Sequence, residues 1–168
     1  MTPVLKPVLY ADDDENDLFL MARAFNKIGI THPLQTVSDG KAAVAYLSGT
    51  PPYANREAYP LPCLLLLDLS LPGRHGLEVL TWLKNDPSHA TMPVVVMTSS
   101  NQESDISRAY SLGADGFIIK PGDPDELLRI VKSLQQYWLS DKRPPGTFVE
   151  FAASRNIPRP KVDSQPRA

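Results

Sequence analysis

Five residues in this chain bring carboxylates, a hydroxyl and an ammonium to the same kind of place, the end of a short apolar run. Asp12 and Asp13 follow Pro7-Val8-Leu9-Tyr10-Ala11, and Asp68 follows Leu64-Leu65-Leu66-Leu67. Thr98 follows Val94-Val95-Val96-Met97, and Lys120 follows Gly116-Phe117-Ile118-Ile119. Three carboxylates held close together repel by several kcal/mol per pair at intermediate dielectric unless a divalent cation neutralises them. Oxygen ligands of this kind suit Mg2+, which keeps part of its water shell and is commonly completed by a phosphate. A carboxylate can also attack phosphorus, with a metal and a lysine balancing the charge on the transferring group. The chemistry that fits is therefore phosphoryl transfer. Asp68 is the nucleophile, Asp12 and Asp13 hold the metal, Lys120 pairs with the phosphoryl oxygens, and the Thr98 hydroxyl donates one hydrogen bond to them.

Those residues converge only if the runs that carry them lie side by side. Continuous apolar runs closed by polar or turn residues predict strands covered on both faces, as in a parallel sheet with helices on either side. The segments between them change to helical spacing. Leu18, Met21, Ala22, Phe25 and Ile28 mark a helix from about Asp17, stopped by Gly29, and Asp39 caps a helix through Ser48 with Gly49 behind it. Leu77, Leu80 and Leu83 mark a third helix ending near Asp86-Pro87, and Ile106, Ala109, Tyr110 and Leu112 a fourth that stops at Gly113. Asp123-Pro124 opens the last, whose apolar face is Leu127, Ile130, Val131, Leu134 and Trp138. With residues 34–37 as a further strand, the alternation predicts an α/β fold: a doubly wound, five-stranded parallel sheet with right-handed crossovers and strand order 2-1-3-4-5. Ligands of such sheets bind outside the carboxyl ends of the strands, where all five residues stand. Pro51, Pro52, Pro60 and Pro62 make residues 50–62 an irregular loop.

Composition narrows the function. A formal net charge of -2 offers no basic surface for nucleic acid, and 42% hydrophobic residues in 168 supply a full core. Cys63 is the single cysteine, which excludes a disulfide framework and a thiolate metal cluster and points to a reducing, cytoplasmic setting. No apolar run approaches the roughly 18 residues of a membrane span, and the N-terminus lacks the apolar stretch of a signal peptide. Neither G-x-x-x-x-G-K-[ST] nor G-x-G-x-x-G follows the first strand, so a nucleotide-binding module is disfavoured. A phosphohydrolase of the haloacid-dehalogenase type also forms an aspartyl-phosphate, but it needs a second aspartate two residues beyond the nucleophile as general acid. Ser70 stands there.

The acidic cluster at 12–14, the run from Cys63 to Gly73, Thr98-Ser99-Ser100 and Gly116 to Pro121 closely resemble the receiver domain of two-component response regulators, over about residues 7–138. The resemblance implies a flavodoxin-like, CheY-like fold and a phosphoryl group taken by Asp68 from a histidine kinase, with signalling rather than enzymatic turnover as the outcome. It implies that Asp13, Asp68 and the carbonyl of Ser70 bind Mg2+ directly while Asp12 acts through water, and that Lys120-Pro121 is a cis peptide. It also implies a switch, in which Thr98 moves inward, Phe117 rotates behind it, and an exposed face built from Ile106, Tyr110, Phe117 and the last helix changes shape. Residues 1–139 are expected to form the receiver, and 140–168 a Pro-rich extension without an output domain. Tyr137-Trp138-Leu139 and the long loop before the third strand are similar to small response regulators paired with bacteriophytochrome-type histidine kinases. Residues 147–151 alternate apolar and polar side chains, which suggests an arm that packs on a second protomer to make a homodimer. A degenerate receiver acting as a fixed binding module is the competing reading.

Overall fold

Leu64–Leu67 becomes the middle strand because no residue in it tolerates water, and all four side chains are buried. A computed structural model describes residues 5–140 and shows five strands: β1 Val8–Ala11, β2 Leu34–Val37, β3 Leu64–Leu67, β4 Val94–Thr98 and β5 Gly116–Ile119. All pair in parallel, in the order β2-β1-β3-β4-β5. Five helices alternate with them: α1 Glu15–Ile28, α2 Gly40–Ser48, α3 Gly76–Asn85, α4 Glu103–Ser111 and α5 Pro124–Trp138. The apolar core is split by the sheet into two layers. Leu65, Leu67 and Val96 face one with α2, α3 and α4, and Leu64, Leu66 and Val95 face the other with α1 and α5. This is the predicted doubly wound sheet. None of the five helices is long and apolar enough to cross a membrane.

Register aligns the strand ends. Ala11 lies beside Leu67, Leu67 beside Val96, and Thr98 beside Ile119. The next backbone bonds continue the ladder beyond the strands, from Asp68 N–H to the Ala11 carbonyl at 3.0 Å and from Lys120 N–H to the Thr98 carbonyl at 2.8 Å. Asp12, Asp68, Thr98 and Lys120 thus form one row at the carboxyl edge.

Helix starts are fixed by side chains that satisfy the first free N–H groups. The Asp14 carboxylate accepts from Asn16 and Asp17, Asp39 from Ala42, and Asp123 from Asp125. Capping by Asp14 starts α1 two residues before the position the apolar spacing marks, and explains this acid as a structural one. His75 is the cap of α3, its Nδ1 3.2 Å from the Leu77 N–H. The loop at 50–62 is irregular yet pinned. Arg56 donates to the carbonyls of Tyr46, Leu47 and Tyr59 at 2.7, 2.8 and 3.1 Å, closing the C-terminal end of α2, while Tyr46, Tyr53 and Tyr59 stack edge to face or tilted.

Two expectations are corrected. The Lys120–Pro121 bond is not cis, and the cis bond among the described residues is Pro51–Pro52. A proline only lowers the preference for trans to about 0.5–1 kcal/mol; it does not reverse it. Ile106, Tyr110 and Phe117 do not build an exposed face either, since all three are buried between α4 and the sheet. A phenylalanine at 117 carries no hydroxyl to draw it toward water, so its ring is fully enclosed. The suggested arm at 147–151 and the rest of the extension lie outside the described residues.

Candidate functional site

The site is organised around one ammonium. Lys120 follows β5 directly, and its side chain reaches back along the sheet edge to three carboxylates: Asp12 Oδ2 at 2.7 Å, Asp17 Oδ2 at 2.7 Å and Asp68 Oδ2 at 2.8 Å. Burial alone would disfavour the charged amine, but hydrogen bonds to Asp12, Asp17 and Asp68 outweigh it and hold its pKa above the usual lysine range. The lysine is therefore a fixed positive charge.

Asp12 is completely buried, and its two oxygens are engaged. Oδ2 accepts from the Tyr10 hydroxyl at 2.6 Å as well as from Lys120, and Oδ1 accepts from the Asp14 N–H at 2.9 Å. Burial pushes its pKa up, against the opposing pull of Lys120, Tyr10 and the Asp14 amide. Burial penalises the charge on both partners; it prevails at Asp12, whereas at Lys120 three hydrogen-bonded carboxylates outweigh it and the ammonium keeps its proton. The Tyr10 phenol is raised as well, by burial first and then by its bond to Asp12.

Asp13 stands exposed beside this buried pair. Carboxylate oxygens of Asp12, Asp13 and Asp68 all lie within 4.8 Å of one another. An all-oxygen donor set with one exposed member fits a hard, partly hydrated cation such as Mg2+ better than a soft one. Asp68 is nearly buried, and its Oδ1 accepts from the Ser70 N–H at 3.2 Å while Oδ2 faces Lys120. Its backbone is set by a close approach from α3. A Cβ on Gly76 would lie 2.3 Å from the Asp68 carbonyl oxygen and 2.7 Å from the Leu69 Cα, so only glycine fits at the start of that helix.

Thr98 is buried at the end of β4, and its Oγ1 accepts from the Ser100 N–H at 3.5 Å. Ser100 in turn donates to Asp105 at 2.6 Å, tying the β4 end to α4. Phe117 lies three residues before Lys120 in the core under α4. The arrangement thus brings Asp12, Asp13, Asp68 and Lys120 together, with Thr98 in the same row and Ser70 bonded to Asp68.

Two members escape the sequence reading. Tyr10 sits in an apolar run and counts there as one more hydrophobe. The period of two along a strand puts it on the same face as Asp12, which was the available signal. Asp17 lies in the first turn of α1, where an acid is already explained by the helix dipole. Nothing in local spacing says that its carboxylate turns to a lysine over a hundred residues away.

Comparison with known proteins bears on this geometry. Residues 8–132 match the model of the response regulator receiver domain. The probable methanogenesis regulatory protein FilR2 of Methanothrix harundinacea is 37% identical over 139 residues, 83% of this chain and 87% of that one. The crystal structure of the phosphorylated cyanobacterial phytochrome response regulator RcpA covers 84% of this chain and 99% of its own, with 37% identity and a TM-score of 0.76. The Mn2+-bound form of response regulator Rcp1, known from Synechocystis, covers 84% and 99%, with 33% identity and a TM-score of 0.74. A shared sheet order, a matched span from β1 into α5 and an acidic pocket at the strand ends lead to one assignment: the chain belongs to the response regulator receiver domain family.

Proposed function

We propose that Asp68 is the phosphoryl acceptor of this receiver and that the donor is a phosphohistidine on a partner histidine kinase. One observation carries the assignment: a carboxylate at the central strand end is held 2.8 Å from a partly buried ammonium, with two further acids beside it. An Asp68 carboxylate oxygen attacks phosphorus, a P–O bond forms as the P–N bond breaks, and the imidazole leaves with the electron pair and takes up a proton. Lys120 is already within reach of the oxygens that gain charge, so little reorganisation accompanies the step. Asp13, Asp68 and the Ser70 carbonyl would hold Mg2+, which neutralises charge on the transferring group. Asp12, with both oxygens engaged, supports that set from behind through Lys120 and ordered water.

Thr98 and Phe117 form the readout in this proposal. A phosphoryl group on Asp68 offers a new acceptor to the Thr98 hydroxyl at the end of the neighbouring strand. Movement of Thr98 alters the Ser100–Asp105 link to α4 and the packing of Phe117 beneath it, so the α4-β5-α5 face changes. A few kcal/mol of differential interaction suffices for such a population shift. Likeness to RcpA, a phytochrome response regulator, supports a phytochrome-type kinase as donor. Action in the cytoplasm, signalling by contact and self-association as a homodimer complete the proposal, the last measurable by light scattering.

The test is intact mass after incubation with a small phosphodonor. Gain of one phosphoryl group that depends on Mg2+ and disappears in Asp68→Asn supports the proposal. Gain that persists in Asp68→Asn moves the acceptor elsewhere and overturns it.

A further inference from the structure

We propose that Asp17 is a positioning residue that competes with the phosphoryl group for Lys120, and so sets how strongly the phosphorylated site is held. This rests on the reading of Asp68 as acceptor. A lysine ammonium has three N–H donors and no more. Here three carboxylates take them, Asp12 at 2.7 Å, Asp17 at 2.7 Å and Asp68 at 2.8 Å, so the cation is saturated before any phosphoryl group arrives.

The three partners are not equivalent. Asp12 and Asp68 follow adjacent strands of the sheet, and their side chains are 0% and 6% exposed. Asp17 reaches in from the first turn of α1 and is 31% exposed. Its backbone is fixed by the Asp14 cap, which accepts the Asp17 N–H at 3.1 Å. Conversion of Asp68 to the acyl phosphate removes the charge from its carboxylate and releases one donor toward the new phosphoryl oxygens. Asp12 remains behind the lysine in the buried floor. Asp17 remains on the solvent side, where it draws the ammonium toward α1 and faces a dianion with a charge of the same sign. An acid there opposes full engagement of Lys120 by the phosphoryl group.

Asp17→Asn keeps the size and the hydrogen-bonding oxygen while removing the charge. At saturating Mg2+, with metal affinity measured separately, it is expected to bind beryllofluoride, a noncovalent phosphoryl mimic, about fivefold more tightly than the natural chain, equivalent to about 1 kcal/mol for a partly exposed ion pair. A purely structural role would instead lower the melting temperature and leave the mimic's affinity unchanged. Equal or weaker binding by Asp17→Asn, with the natural chain binding normally, overturns the competition. Failure of the natural chain itself to bind the mimic, together with no mass gain at Asp68, overturns the receiver chemistry and this inference with it.

Discussion

At the scale of single residues, the site is a buried ion cluster whose stability and chemistry are set by the same charge. Among the described residues Lys120 is the one cation that touches Asp12, Asp17 and Asp68, and its side chain is 12% exposed. Replacing it by methionine leaves Asp12 fully buried with only the Tyr10 hydroxyl and the Asp14 amide for compensation. Removing one partner of a buried pair costs about 3–5 kcal/mol. Lys120→Met is therefore expected to lower the urea midpoint sharply in metal-free buffer. Millimolar Mg2+ should narrow the gap to the natural chain, because the variant's site is more negative and gains more from the cation. A gap that does not narrow would show that loss of the ammonium does not strengthen the hold of these carboxylates on the cation, against the charge coupling between the two. Asp12, Asp13, Asp68, Thr98 and Lys120 were readable because each interrupts an apolar run where a polar group has no structural excuse. Tyr10 and Asp17 were not, because an apolar ring in a strand and an acid at a helix start each have an ordinary explanation that hides a second role.

At the scale of elements, what positions Asp68 is as much α3 as β3. The N-terminal residue of α3 is Gly76, whose missing side chain lets the helix start against the Asp68 carbonyl and the Leu69 Cα. Both neighbours are backbone, so a methyl group there can be accommodated only by moving the loop that carries the acceptor. Gly76→Ala is expected to destabilise the fold by about 1–3 kcal/mol, as overpacking does, and to slow phosphorylation from a small donor several-fold. A mass time course beside urea unfolding separates the two effects. Normal phosphorylation in a destabilised variant would mean that the contact serves packing alone. Helices and strands were largely legible, since Asp39, Asp123, Gly29 and Gly49 punctuate them with caps that work locally. The conformation of residues 50–62 was not. Its prolines announced an irregular loop, but the three carbonyls collected by Arg56 belong to backbone brought together only by the fold. The Lys120–Pro121 isomer was likewise beyond local reading, because a proline permits both forms.

At the scale of the whole molecule, strand order converts separate sequence signals into one site and also gathers groups that must keep their protons. Tyr10 is raised by burial and by its bond to Asp12, and Tyr46 is pushed up to about 12 by burial. The Tyr46 hydroxyl donates to the Pro60 carbonyl at 2.9 Å, which fastens the 50–62 loop to α2. Lys120 is raised by its three carboxylates against the opposing effect of burial. In the unfolded chain the two phenols titrate near 10.0 and the lysine near 10.5. All three groups therefore bind protons more tightly when folded, so their contribution to stability is complete below the unfolded values and is lost as pH rises through the folded ones. The urea midpoint is expected to change little between about pH 8 and 9 and to fall steadily above about pH 10. Tyr10→Phe removes one of the three and should flatten that fall, at the cost of a weaker hold on Asp12 at neutral pH. Tyr46→Phe should flatten it too while leaving phosphorylation intact, because the loop and the strand-end site lie on different parts of the fold. An unchanged alkaline slope in both variants would mean that the two phenols ionise alike in the folded and unfolded chains, and that Lys120, with Tyr53 and Cys63, which burial also raises, carries the dependence.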